Sequence, residues 1–221
     1  MILEQNFPNL IIGVRMKVKV CGITNLDDAL MCESFGADAI GFIFYKKSKR
    51  YIEPEKSKKI ISHLNPFTIK VGVFVNETAD YINNISGELK FNLVQLHGNE
   101  TSETAERISL PVIKSFRVSN DFDFSTLNNY KNVFCLLDSH SISEFGGTGN
   151  KFNWAMIPIE LKNKIILAGG VSINNIEEIY KNISPIAVDL SSSIESKPGK
   201  KDYDKTKSFF TKLNSLEENL C

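Results

Sequence analysis

The stretch KVKVCGITNLDDALMCESFGADAIGFIF (17–44) decides the fold. It opens on a β-branched run, KVKVCG (17–22), and closes on a second apolar run, ADAIGFIF (37–44). Both are short and mostly apolar, which suits strands buried on both faces of a parallel sheet. Between them Asn25 precedes LDDALMCESFG, and Gly36 stands where a helix stops; these residue types cap the two ends of a helix. The result is a strand, a helix and a second strand, the compact crossover unit of α/β proteins.

The same alternation continues outward. Further apolar runs are IKVGVFV (69–75), LVQLHG (93–98), PVIKSFRV (111–118), VFCLLDS (133–139), KIILAGG (164–170) and PIAVDLSS (185–192). Helix signals fall between them. Pro54 sits in the first turn of EPEKSKKIISHL, Asn99 or Thr101 can cap ETSETAERI, and INNIEEIYKNI follows the seventh run. This predicts eight strands with about eight helical connectors. Alternating β and α elements mean an α/β protein with a parallel sheet, either open and doubly wound or closed. The count of eight favours a single (β/α)8 TIM barrel, and CGITNL after the first strand is not the GxGxxG turn expected of an open dinucleotide-binding sheet. One domain is expected over 16–221, with residues 1–15 (MILEQNFPNLIIGVR) as an N-terminal extension and Met16 as an alternative start. The apolar run Leu10 to Val14 is too short for a signal peptide, and its basic residue follows it.

Composition narrows the function. The chain has 221 residues, with 26 Lys+Arg against 26 Asp+Glu. Zero net charge argues against a broad nucleic-acid or membrane surface, though not against a local pocket for a small anion. No apolar stretch is long enough to span a bilayer. The four cysteines (Cys21, Cys32, Cys135, Cys221) form no CxxC or metal-like cluster, so no metal site is expected. Cys21 and Cys135 lie inside strand-like runs, as buried thiols do in a reducing, cytoplasmic compartment.

Barrel enzymes carry their chemistry at the C-terminal ends of the strands. Those ends hold Cys21-Gly22, Lys46–Arg50, Asn76, Gln95 to Gly98, Asp138, Gly169-Gly170, and Asp189 with Ser191–Ser193. Strand alternation puts Lys17, Lys19 and Cys21 on one face. If that face is inward, Lys19 lies about 6.6 Å below Cys21, at roughly 3.3 Å per residue. Its ammonium would then draw the thiol below its usual value of about 8.5. Otherwise Cys21 is a small buried hydrophobe, the commoner fate of a lone cysteine. Asp138, at the end of an apolar run, is either a general acid raised by desolvation or a bracing side chain; Asp189 has the same two readings. His97 is a satisfied strand-end histidine or part of a site. Arg50 is a solvated charge in KKSKRY or a clamp for an anion. Gly169, Gly170, Ser191 and Ser192 occupy the two loops where barrels converge backbone N–H groups on phosphate. The loop EFGGTGNKFNW (144–154) lacks a P-loop ending and reads as a cover over the mouth.

Taken in order, KVCGIT, GFIFYKKSKRYI, VGVFVN, VQLHGNE, LLDS, EFGGTGNKFNW, LAGGV and VDLSSSIESKPGKKD closely resemble the landmarks of the phosphoribosylanthranilate isomerase family, over about residues 17 to 210. The resemblance implies a cofactor-free, metal-free (β/α)8 barrel of tryptophan biosynthesis, monomeric or homodimeric. Its partner is a small phosphosugar–anthranilate substrate, with no nucleic acid or membrane. The implied reaction is an Amadori rearrangement of an aminoaldose to an aminoketose. The aspartate matching Asp138 is the general acid that opens the furanose ring; the cysteine matching Cys21 is the base that removes the C2 proton. The resemblance further implies Arg50 beside the anthranilate carboxylate, Asp189 on substrate hydroxyls, and Gln95 and His97 on the substrate side or bracing a loop. It assigns Gly169, Gly170, Ser191 and Ser192 to the phosphate. One departure is Ser193, where the family pattern has glycine; a positive φ there would cost serine about 1 kcal/mol or somewhat more. Two rivals fit less well. The isomerase of histidine biosynthesis typically places aspartate where Cys21 stands, and a pentose-phosphate epimerase needs a metal site. A catalytically dead phosphate-binding barrel is opposed by the presence of both Cys21 and Asp138.

Overall fold

The computed structural model describes residues 15–138 and 153–218. Eight parallel strands close into a barrel: β1 (Lys17–Cys21), β2 (Ala39–Ile43), β3 (Ile69–Phe74), β4 (Leu93–Leu96), β5 (Val112–Arg117), β6 (Val133–Asp138), β7 (Ile165–Ala168) and β8 (Ala187–Leu190). Each strand pairs with the next, and β1 pairs with β8 from Lys17↔Ala187 to Val20↔Leu190, so no edge is left open. All eight expected strands are present.

The helices start and stop where their capping chemistry dictates. In α1 (Leu26–Ser34) the Asn25 side chain accepts the Asp28 N–H at 2.9 Å, and the chain leaves through Gly36 at φ +106°. α2 (Pro54–Ile61) begins on its proline, α3 (Ala79–Leu89) is capped by Thr78, and α4 (Ser102–Glu106) by Thr101 rather than Asn99. The expectation of about eight helical connectors is met by shorter elements at two places. Between β5 and β6 there is only a 3₁₀ turn (Phe124–Asn129). Its surroundings, SNDFDFSTLNN, are rich in side chains that compete for the backbone; Asp123, for one, accepts the Ser125 N–H at 2.9 Å. Between β6 and β7 the described part holds a 3₁₀ turn (Trp154–Met156) and the single-turn α5 (Ile159–Lys162). α6 (Ile176–Asn182) and the long α7 (Tyr203–Glu218) complete the ring.

Alternation along the strands sorts the core into two layers. Outward residues such as Val18, Val20, Ile40 and Phe42 are fully buried against the helices, with Phe209 and Phe210 of α7. Inward residues form a second cluster: Ala39, Val71, Val73, Ile113, Leu136, Ile166 and Ala168, with Cys21 at its top. The barrel is thus plugged below and polar above, which leaves its upper end available. Arg15, the last residue of the expected extension, pairs with Asp38 at 3.2 Å and lies 3.8 Å from Glu217. Residues 1–14 and Cys221 lie outside the described residues, as does 144–152 of the glycine-rich loop and hence its expected covering role. No helix of the described residues is long and apolar enough to cross a membrane.

Candidate active site

A cavity of about 290 Å³ opens at the C-terminal ends of the strands. It is lined by Cys21 from β1, Arg50 beyond β2, Gln95 and His97 at β4, Asp138 at β6, Gly169 and Gly170 after β7, and Asp189, Ser191 and Ser192 at β8. All ten residues singled out from the sequence therefore meet in one place.

Cys21 is 6% exposed, with the inward face of β2 beside it. A Cβ on Gly41 would stand 3.0 Å from the Cys21 sulfur, so a glycine on the neighbouring strand makes room for the thiol. One step below, Lys19 is buried and its Nζ donates to Asp189 Oδ1 at 2.8 Å. Burial would lower the Lys19 ammonium, but the charges of Asp189 and Cys21 outweigh it and hold it above its ordinary value. The expected depression of the Cys21 thiol is overturned. Burial pushes it up, Asp189 adds to the rise, and Lys19 and Lys201 offset only part of it. The alternation that put Lys19 near Cys21 was sound; the missing quantity was desolvation by the barrel wall. Alkylation of Cys21 by iodoacetamide, which needs the thiolate, should still be accelerating at about pH 9, where an exposed thiol has begun to level off. Peptide mapping of the modified protein against pH checks this, and a plateau reached near neutrality would contradict it. Cys32 is buried and its thiol is pushed up to about 12, and Cys135 is likewise raised by burial.

Across the mouth, His97 lies with Nε2 3.6 Å from Asp138 Oδ2. Its Nδ1 is 2.7 Å from Ser115 Oγ and 3.0 Å from Gln95 Nε2. Burial lowers the imidazole despite the pull of Asp138, which favours the neutral ring. With Gln95 donating to Nδ1, the neutral ring carries its proton on Nε2, facing Asp138. Ser115 was missed from the sequence, although alternation along PVIKSFRV marks it as an inward polar residue.

Gly169 and Gly170 have φ of +76° and +84°, a pair that only glycine adopts without cost. The turn is fixed by Asn175, which donates to Gly170 O at 2.9 Å and accepts the Ser172 N–H at 2.8 Å. Opposite it, Ser191 leads into a 3₁₀ turn, Ser192–Ile194. Ser193 lies in that turn and is not among the described residues with positive φ, so the cost feared for a serine there does not arise. Its hydroxyl oxygen is buried without a hydrogen-bond partner.

Arg50 reaches the cavity, but it is not a free clamp. Its Nε and Nη2 are hydrogen-bonded to the Glu195 carboxylate at 2.6–3.1 Å. Glu195 lies on β9 (Glu195–Lys197), which pairs with β10 (Lys200–Lys201) across the Pro198-Gly199 turn. Neither Glu195 nor Lys201 was expected at the site. Pro-Gly signals the turn, but nothing local in ESKPGKKD says which way its charges point. Among the described residues no group of three His, Cys, Asp or Glu is placed to hold a metal ion.

The family model described as N-(5'-phosphoribosyl)anthranilate isomerase matches residues 18–212. The chain belongs to this isomerase family. The N-(5'-phosphoribosyl)anthranilate isomerase of Trichlorobacter lovleyi is 45% identical over 196 residues, covering 88% of this chain and 96% of its own. The crystal structure of phosphoribosyl anthranilate isomerase from Thermotoga maritima matches with a TM-score of 0.83 at 42% identity, over 91% of this chain and 100% of that one. A family structure in complex with reduced 1-(o-carboxyphenylamino)-1-deoxyribulose 5-phosphate matches with a TM-score of 0.81 at 40% identity, over the same shares. The fold and the family expected from the sequence are both upheld.

Proposed function

We propose that the chain catalyses the Amadori rearrangement of N-(5'-phosphoribosyl)anthranilate to 1-(2-carboxyphenylamino)-1-deoxyribulose 5-phosphate, with Asp138 as general acid and Cys21 as general base. The observation that carries this reading is that Cys21 and Asp138, from strands on different sides of the barrel, line one cavity with little exposure. Asp138 gives a proton to the furanose oxygen as the bond from that oxygen to C1 breaks, and the nitrogen lone pair forms the Schiff base. The Nε2–H of His97 faces the carboxylate and steadies the charge it acquires. The Cys21 sulfur, acting as the thiolate, then takes the C2 proton and becomes the thiol; the resulting enolamine becomes the ketone as C1 gains a proton and the C2 hydroxyl loses its own. A thiol raised by burial is a poor base at rest but a strong one once ionised, and the Lys19 ammonium beneath it compensates the thiolate. Asp189 holds that ammonium and turns toward the cavity, where substrate hydroxyls can donate to it. Gly169, Gly170, Ser191 and Ser192 offer an anion backbone N–H and hydroxyl donors at one end, and Arg50 offers its remaining edge to the anthranilate carboxylate. Gln95 keeps His97 in its tautomer.

The test is a fluorescence assay of the purified protein with freshly generated phosphoribosylanthranilate, whose fluorescence is lost on conversion; no loss above background would overturn the proposal. Within that assay, Arg50→Met is expected to raise KM by about tenfold or more, the worth of a charge-assisted pair, with a smaller effect on kcat. An unchanged KM would remove Arg50 from the carboxylate.

A further inference from the structure

We infer that Glu195 is a positioning residue that fixes the guanidinium of Arg50 so that only its outer edge can read a planar carboxylate in the cavity. The inference rests on the proposed role of Arg50. Arg50 donates to Glu195 from Nε at 2.9 and 3.1 Å and from Nη2 at 2.6 Å, which occupies the side-on edge of the fork. The Nη1–Nη2 edge is the one turned away from Glu195. Glu195 is itself held, because Lys201 Nζ donates to its Oε1 at 2.9 Å and the Gly199 N–H at 3.2 Å. Its side chain is 4% exposed and that of Lys201 is 0% exposed.

Charge explains why two cations surround one carboxylate. Arg50, Lys201 and Glu195 sum to one positive charge. Lys201 is fully enclosed, so the surplus is presented on the exposed side of Arg50. A carboxylate alone would neutralise the arginine; with Lys201 behind it, Glu195 orients the arginine without cancelling it. Sterics supply the other half of the hold. A Cβ on Gly22 would come within 2.5 Å of Arg50 Cδ, so the bare backbone after Cys21 accommodates the arginine stem. Lys201 also donates to Cys21 O at 2.8 Å and to Ser191 O at 3.3 Å. One buried ammonium thereby ties the carboxylate reader to the strand end that bears Cys21 and to the serine loop.

The experiment compares Glu195→Gln, Arg50→Met and the double variant in the steady-state assay, with inorganic phosphate as a competitive inhibitor. Glu195→Gln is expected to raise KM by about tenfold, to leave kcat within about threefold and to leave the phosphate Ki unchanged. Added to Arg50→Met, it should change KM by less than about twofold, since a residue acting through Arg50 has nothing left to act on. If Arg50→Met raises KM and Glu195→Gln does not, the inference is overturned while the Arg50 assignment stands. A Glu195→Gln effect of equal size in the Arg50→Met background overturns it too. If Arg50→Met itself leaves KM unchanged, the underlying assignment fails, and the inference with it. Should Glu195→Gln fold poorly because Lys201 is stranded, Glu195→Gln/Lys201→Met removes both buried charges, and the same comparison with Arg50→Met decides.

Discussion

Replacing Asp138 with asparagine is expected to lower kcat by about 10²–10⁴-fold, the range over which a positioned acid acts. Asparagine keeps the shape and an oxygen facing His97, so the loss would report the missing proton rather than a missing contact. Opening the ring requires that the departing oxygen be protonated as its bond to C1 weakens, and no other carboxyl group of the described cavity lining stands where Asp138 does; Asp189 is bound to Lys19. KM should move little, because the variant leaves the glycine turn, the serine loop and Arg50 untouched. Steady-state kinetics with circular dichroism as a check on folding decide it. A variant of near-normal kcat would remove Asp138 from the ring-opening step.

The companion result is expected at the opposite side of the mouth. Cys21→Ala should lower kcat by about as much, 10²–10⁴-fold, since no base remains above Lys19 for the C2 proton. The fold should survive, because the lost sulfur borders the cavity and its removal sacrifices roughly 1 kcal/mol of packing. Cys21→Ser is the sharper probe. It keeps an atom of similar reach beside Gly41, but a hydroxyl in this buried setting does not ionise near neutrality, so serine should be nearly as inactive as alanine. A serine variant turning over at a substantial fraction of the normal rate would mean that the sulfur is not the base. Unchanged affinity for inorganic phosphate in both variants would confirm that only the chemistry has been removed.

The strands were legible because each buried one carries a dense β-branched run, and the helix starts because Asn25, Pro54 and Thr101 announce themselves locally. The barrel mouth was legible for a similar reason: polar residues at the ends of apolar runs have few other places to go. What escaped was whatever depends on distant chain. Nothing in KKSKRY shows that Arg50 will meet a carboxylate 145 residues later, and nothing in ESKPGKKD shows that Lys201 will be fully enclosed. The thiol of Cys21 was misjudged on the same ground. A neighbouring ammonium can be counted along one strand, whereas the low-polarity wall around the sulfur is built by the opposite strands. The connector after β5 failed differently, since the expectation of a helix there ignored the local appetite of Asn, Asp and Ser for turns.

The closure of β1 against β8 has a consequence for how the protein is made. Lys19 meets Asp189 across 170 residues of sequence, and the Cys21 carbonyl meets Lys201 across 180. β1 must therefore wait for β8 and the β9–β10 hairpin, far along the chain, before either partner exists. A nascent chain halted before β8 has its thiol and its acid, yet neither the counter-ion frame beneath the sulfur nor the hub behind the arginine. Such long-range pairings are slow to form. Completion of this site therefore waits on the last strands of the barrel.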